Sequence, residues 1–188
     1  MRSAIRRLAF SILLAVLASA AMSVMPVRAQ DANAEKAQSL VNAAINMTDS
    51  AQALKLLWQA TDIDPGFEEA YVYLGLYYNS RSDFPKVVEV YQKLAKYEPK
   101  QPTVYLNIGE AYMSFVPPKL EDALNYYRKA YALDPSSSFA ALRIGQILAQ
   151  QGSRTEALKY LRQAAADAAH NPNAAAEANK LIAEMGPS

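Results

Sequence analysis

The sequence predicts an all-helical solenoid made of about four helix pairs and a final helix. Turns in which an acidic residue precedes proline recur at spacings of 34 and 36 residues, ending at Pro65, Pro99 and Pro135. Three glycines have the same two spacings: Gly75, Gly109 and Gly145. A fixed period of this length is typical of stacked helical repeats. Within each half-repeat the apolar residues are three and four apart, as in an amphipathic helix, and no segment shows the alternation of a strand.

The two extra residues of the longer repeat are predicted to lie in a single loop. Tyr78 and Tyr112 remain 34 residues apart, so the insertion falls after Tyr112 and before Ala123. Two consecutive prolines, Pro117 and Pro118, occupy this window. Because prolines end a helix and stiffen the chain, we predict a longer and more rigid loop inside the third repeat.

The repeated unit resembles the tetratricopeptide repeat (TPR), a helix–turn–helix of 34 residues. The resemblance is carried by the residues at recurring positions, which in the second repeat are Tyr71, Leu74, Gly75, Tyr78, Val87, Tyr91 and Pro99. It implies a right-handed superhelical solenoid over residues 30–188. The repeats would span residues 34–67, 68–101, 102–137 and 138–171, followed by a capping helix over residues 172–186.

The first 29 residues have the pattern of a signal peptide. Three arginines lie at its start, Arg2, Arg6 and Arg7. An apolar run over residues 8–24 follows, and residues 27–29 offer a cleavage site. We therefore predict cleavage after Ala29 and a periplasmic or secreted protein, with no stable membrane anchor once the segment is removed. The alternative is an uncleaved anchor, since the run is near the lower length limit of a spanning helix.

Charge and composition argue against several classes of function. Removing residues 1–29 leaves 15 basic and 18 acidic residues, a net charge of −3, which argues against a nucleic-acid partner. The chain has no cysteine, which excludes disulfides and thiolate metal sites. Its single histidine, His170, is placed at a predicted helix end, where a cation is favourable. We therefore expect no metal, no cofactor and no independent enzymatic activity.

The TPR resemblance also implies a concave groove that binds a protein or peptide partner. In the family, the first helix of each pair lines this groove at the second, fifth, ninth and twelfth positions of the repeat. The corresponding residues here are Glu69, Val72, Leu76, Asn79, Thr103, Leu106, Glu110, Met113, Phe139, Leu142 and Gln146. The fourth repeat would also contribute Ala149, and the first repeat Glu35, Gln38, Asn42 and Ile45. An apolar groove with a few neutral or acidic groups favours an extended or helical segment as the partner.

The resemblance does not extend to the chaperone-binding members of the family. Those members hold a C-terminal carboxylate with lysines, asparagines and an arginine along the groove. The corresponding residues here are Gln38, Tyr73, Thr103 and Asn107, and Asn42 alone matches.

The most favoured function is that of an exported scaffold or adaptor that binds a protein or peptide segment in this groove. One alternative is a self-assembling structural protein, in which the groove of one copy binds an end of another. A second alternative is a non-catalytic accessory subunit of a cell-envelope enzyme complex. All three depend on the TPR resemblance, since fold alone does not determine function.

Overall fold

A computed structural model describes residues 27–186, and within this range the chain forms nine helices and no strand. The helices are α1 (Val27–Ile45), α2 (Ser50–Ile63), α3 (Glu68–Asn79), α4 (Phe84–Tyr97), α5 (Pro102–Met113), α6 (Leu120–Leu133), α7 (Ser138–Gln150), α8 (Arg154–Ala166) and α9 (Pro172–Met185). Each helix packs against the next one in the chain, as expected of a stacked array. The predicted all-helical solenoid is confirmed.

Local sequence signals define where these helices begin and end. Four of the helices follow a residue whose side chain accepts hydrogen bonds from the first turn: Asp49, Asp83, Ser137 and Asn171. Helices α2, α4 and α6 end at the turns in which an acidic residue precedes proline. The capping residues of these helices, Asp64, Glu98 and Asp134, have left the helical conformation. This agrees with the steric restriction that proline imposes on the residue before it.

The inserted residues of the third repeat lie in the loop between α5 and α6. This loop spans residues 114–119, whereas the equivalent loop between α3 and α4 spans residues 80–83. In both loops the backbone N–H before the second helix donates to the carbonyl of the recurring tyrosine, from Asp83 to Tyr78 and from Lys119 to Tyr112, both at 3.0 Å. The insertion therefore lengthens the loop without changing how it closes.

Three glycines allow the helices of a pair to cross closely. A Cβ atom on Gly109 would lie 2.5 Å from Cε1 of Tyr127, a ring that is fully buried. Two further pairs are similarly close: Gly75 with Tyr91, and Gly145 with Leu161. Each glycine thus leaves the space in which a large side chain of the second helix packs. The glycines and these large side chains therefore recur together, once in each of the three repeats.

Neighbouring repeats are linked at the proline turns. Two buried tyrosines donate from their hydroxyls to the carbonyl of the preceding turn proline: Tyr71 to Pro65 (3.0 Å) and Tyr105 to Pro99 (2.8 Å). In the fourth repeat Ala141 occupies this position and has no hydroxyl. There the carbonyl of Pro135 accepts a hydrogen bond from Nε2 of Gln163 at 2.6 Å instead. The same acceptor is satisfied in all three turns, by a different donor in the last.

The predicted signal peptide lies outside the described residues, apart from residues 27–29, which belong to the first turn of α1. Within residues 27–186, no helix is both long enough and apolar enough to cross a membrane.

Candidate functional site

The candidate site is the surface formed by α1, α3, α5, α7 and α9, which we call the first-helix face. Most of the residues predicted to line the groove are at least partly accessible here, and Leu76 is the most exposed large apolar side chain among them, at 57%. Asn79 and Thr103 are exposed as well. The half-buried members are Glu69, Val72, Leu106, Glu110, Met113, Phe139 and Gln146.

The prediction is wrong for Leu142, which does not line an open groove. Its side chain is only 2% exposed and belongs to the apolar cluster that includes Ala174 and Ala178 of α9. The cause is the position of the fourth repeat at the end of the array, where the last helix covers part of its first helix. Leu106 is half-buried and packs against the core on both sides, so it supports the face more than it presents itself to a partner.

An ion pair in the middle of the face joins the third repeat to the fourth. The Arg143 guanidinium donates to both oxygens of the Glu110 carboxylate, from Nε to Oε1 at 2.8 Å and from Nη2 to Oε2 at 2.9 Å. The Tyr127 hydroxyl donates to the same Oε1 at 2.5 Å. A bidentate pair of this kind fixes orientation as well as charge. The carboxylate is therefore held in one place between α5 and α7.

The hydrogen-bonded network continues from this ion pair to the last helix. Nη1 of Arg143 donates to the Gln146 side chain at 3.1 Å, and Nε2 of Gln146 donates to Glu177 of α9 at 2.6 Å. The guanidinium also lies 5.0 Å from the centroid of the Phe139 ring, within cation–π range. The first-helix face is thus connected across α5, α7 and α9 by polar side chains.

Burial keeps the phenol of Tyr127 protonated. Desolvation is the main reason that its pKa is raised well above the usual value, and the hydrogen bond to the Glu110 carboxylate raises the pKa further. An ionised phenol beside this carboxylate would place two negative charges in contact. Tyr127 consequently acts as a hydrogen-bond donor throughout the physiological pH range.

Three cavities lie in a row along the first-helix face. The N-terminal cavity, of about 490 Å³, is lined by Ala34, Glu35, Gln38, Asn42 and Phe67. The central cavity, of about 290 Å³, is lined by Leu76, Asn79, Tyr91, Asn107 and Glu110, among others. The C-terminal cavity, of about 450 Å³, is lined by Met113, Arg143, Gln146, Leu181, Glu184 and Met185, among others. Each cavity is lined by both apolar and polar side chains, so the surface can accept both the side chains and the backbone of a peptide.

Comparison with known proteins identifies the repeats. The tetratricopeptide repeat family model matches residues 118–174. The TPR2B domain of yeast Sti1, whose structure is of a complex with pHsp70, is 25% identical and superposes with a TM-score of 0.56, covering 62% of this chain and 94% of that one. The chain therefore contains tetratricopeptide repeats. Its predicted family resemblance is confirmed.

Two further relatives have the same architecture or description as this TPR protein. A TPR protein of the thermophile Thermus thermophilus is 23% identical, with a TM-score of 0.57, and the match covers 80% of this chain and 83% of that one. The TPR repeat-containing protein YpiA of Bacillus subtilis (strain 168) is 24% identical over 137 residues, which is 73% of this chain. The chain spans about a third of the length of YpiA, 32%.

Arg143 is one of several residues of the TPR face that the predicted groove positions do not include. It lies one helical turn before Gln146, outside the four positions per repeat that the family pattern supplies. Its pairing with Glu110 spans 33 residues, close to one repeat, and the hydrogen bond from Gln101 to Glu68 spans 33 as well. The signal available in the sequence was a pair of side chains that can hydrogen-bond to each other and lie about one repeat apart.

Among residues 27–186 of the TPR protein, no cluster of three or more histidine, cysteine, aspartate or glutamate side chains is placed to hold a metal ion. His170 is exposed in the turn between α8 and α9, where Nδ1 lies 2.8 Å from the Asp167 carboxylate. This contact joins two residues of the same turn, three positions apart.

Proposed function

We propose that this protein is an exported adaptor that holds a segment of a partner protein on its first-helix face. A TPR solenoid is in general a scaffold for protein interactions, and this chain has that fold. The observation that carries the proposal is the central cavity, which opens beside Leu76, a leucine that is 57% exposed on an otherwise well-packed array. An exposed apolar side chain next to a polar-lined cavity is typical of a docking surface.

The groups around Leu76 match the chemistry of a peptide. The side-chain amides of Asn79 and Asn107 line the same cavity, and amides both donate and accept hydrogen bonds with a peptide backbone. Glu110 also lines the cavity and is held in place by Arg143. Because these groups are positioned before binding, a partner segment would not have to order them. The protein acts by binding, and any catalysis belongs to its partner.

The Leu76→Glu variant is expected to lose partner capture while keeping its fold. A charged side chain replaces the apolar contact, and burying one leucine is worth about 1.5–3 kcal/mol, so the affinity should fall at least about tenfold. The stability should change by less than about 0.5 kcal/mol because the site is exposed. The measurement is a pull-down from cell-envelope extract with the purified protein as bait, with the captured partner quantified by mass spectrometry.

Val116→Glu is the matched control, because it adds the same charge to an apolar residue that is 97% exposed on the loop between α5 and α6. This variant should capture the partner as well as the unchanged protein does. Equal capture by Leu76→Glu would contradict the proposal. Light scattering of the eluted material tests the self-assembly alternative. If the material that is captured by the unchanged protein and lost with Leu76→Glu is an oligomer of this chain alone, the face binds a second copy.

Export is part of the proposal and is supported by the basic start and apolar run of residues 1–24. The protein isolated from the envelope fraction of its host is expected to begin at Gln30, as determined by N-terminal sequencing, and to remain in the aqueous phase without detergent. An N-terminus at Met1 together with sedimentation with membranes would show that the segment is an anchor.

A further inference from the structure

We infer that the segment bound on the first-helix face is basic and apolar, with lysine or arginine side chains spaced among hydrophobic ones. This inference rests on the proposed function and specifies the chemistry of the partner. It is carried by the distribution of charge along the three cavities, which differs from that of the chain as a whole.

Each of the three cavities contains one carboxylate. Glu35 lines the N-terminal cavity, Glu110 the central one and Glu184 the C-terminal one. Two more carboxylates belong to the helices of the same face, the half-buried Glu69 and the exposed Glu177. Glu110 is already paired with Arg143, and Glu177 accepts from Gln146. Glu35 and Glu184, at the two ends of the row of cavities, are the carboxylates that remain accessible to an ammonium or guanidinium group of a partner.

Positive charge is scarce in the linings of the same cavities. Of the described residues that line the three cavities, Arg143 is the one cation. Its guanidinium donates to Glu110 and Gln146. Lys180 of α9 lies 3.8 Å from the Glu184 carboxylate, but both side chains are largely exposed, at 74% and 58%. Such a pair in solvent is weak and leaves the carboxylate accessible. The cavity linings therefore carry three carboxylates and one arginine, and an acidic segment would be repelled.

The apolar groups of the cavities favour the same kind of segment. Phe67 lines the N-terminal cavity, Leu76 the central one, and Met113 and Leu181 the C-terminal one. Lysine and arginine bury their aliphatic stems on such surfaces while the charged group stays at the rim. A segment that combines these residues with leucine or methionine satisfies both features of the face, which a purely apolar or purely basic segment does not.

Selection of random dodecapeptides displayed on phage tests this inference without a known partner. The bait is the protein expressed from its full-length sequence, and each selected peptide is then synthesised and titrated by fluorescence anisotropy against the Leu76→Glu variant. We expect peptides that depend on Leu76, carry a net positive charge and contain two or more large apolar residues. Leu76-dependent peptides that are neutral or acidic would overturn the inference and leave the proposed function standing. Selected peptides that ignore Leu76→Glu would overturn both.

Two neutralising substitutions test the carboxylates directly. Glu35→Gln and Glu184→Gln should each raise the Kd of the selected peptides about two- to fivefold at low salt, as expected for loss of one exposed charge interaction. Their effect should shrink at high salt, because exposed charges are screened. Glu89→Gln, a matched change on α4 where Glu89 pairs with Lys86, should leave the Kd unchanged. If Glu35→Gln and Glu184→Gln leave the Kd as unchanged as Glu89→Gln does, the inference is overturned.

Two other occupants are distinguished by the same materials. A synthetic peptide of residues 1–12 of this chain is itself basic and apolar. If it binds more tightly than every selected peptide, the face belongs to the chain's own N-terminal segment, and the assignment to a partner is overturned. A dimer in light scattering that dissociates when a selected peptide is added would assign the face to a second copy, which overturns it too.

Discussion

Replacing Tyr127 by alanine is expected to lower the free energy of unfolding by about 3–5 kcal/mol, the usual cost of removing a buried aromatic ring. The ring is fully buried and packs directly against the backbone at Gly109, so its removal leaves a cavity where two helices cross. The change also removes the hydroxyl that donates to Glu110. Urea denaturation followed by circular dichroism measures the loss.

Two companion variants separate the contributions of the ring and the hydroxyl. Tyr127→Phe keeps the ring and removes one hydrogen bond, so it should cost about 1 kcal/mol. Gly109→Ala adds a methyl group that clashes with the ring in the unchanged protein, but it should recover part of the stability in the Tyr127→Ala background, where space is available and alanine is the better helix former by about 1 kcal/mol. A loss in Tyr127→Ala no larger than that in Tyr127→Phe would contradict the role assigned to the ring.

The pairing of Gly109 with Tyr127 also explains why the fold was predictable from the sequence. The crossings require a small residue on the first helix and a large one on the second, and this pairing recurs in the second, third and fourth repeats at spacings of 34 and 36 residues. The period of the sequence therefore reflects how the two helices of each pair pack together. The repeats differ at Ala141, which has no hydroxyl to donate to the turn proline. The compensating hydrogen bond comes from Gln163 on another helix, and no local sequence pattern predicts it.

The candidate site was predictable only where the repeats are alike. The family pattern assigns the same positions to every repeat, and it places Leu76 and Glu110 on the first-helix face, where the structure also has them. It failed for Leu142 because α9 covers the end of the array, an effect that a rule for internal repeats does not contain. It omitted Arg143 because the pairing of this residue with Glu110 depends on the identities of two particular side chains.

The protein is expected to lose stability steeply above pH 10 because several tyrosines are buried. Burial, as the main cause, raises the pKa of Tyr71 and of Tyr91 from 10.0 to about 12, and it raises that of Tyr127 as well. The folded state then keeps protons that the unfolded state releases above its pKa of about 10. Stability is therefore unaffected below pH 10 and falls as the pH rises from about 10 to about 12.

The expected size follows from linkage, at about 1.4 kcal/mol per pH unit for each tyrosine that ionises only on unfolding. Three such residues would together remove roughly 4 kcal/mol by pH 11. Urea denaturation at pH 8, 10 and 11 measures this decline, and Tyr127→Phe is the informative comparison. Because the variant has one fewer buried phenol, its stability should decline less steeply than that of the unchanged protein, by about 1.4 kcal/mol per pH unit between pH 10 and 11. Parallel declines for the two proteins would show that Tyr127 is not held protonated, and that the hydrogen bond to Glu110 does not persist at alkaline pH.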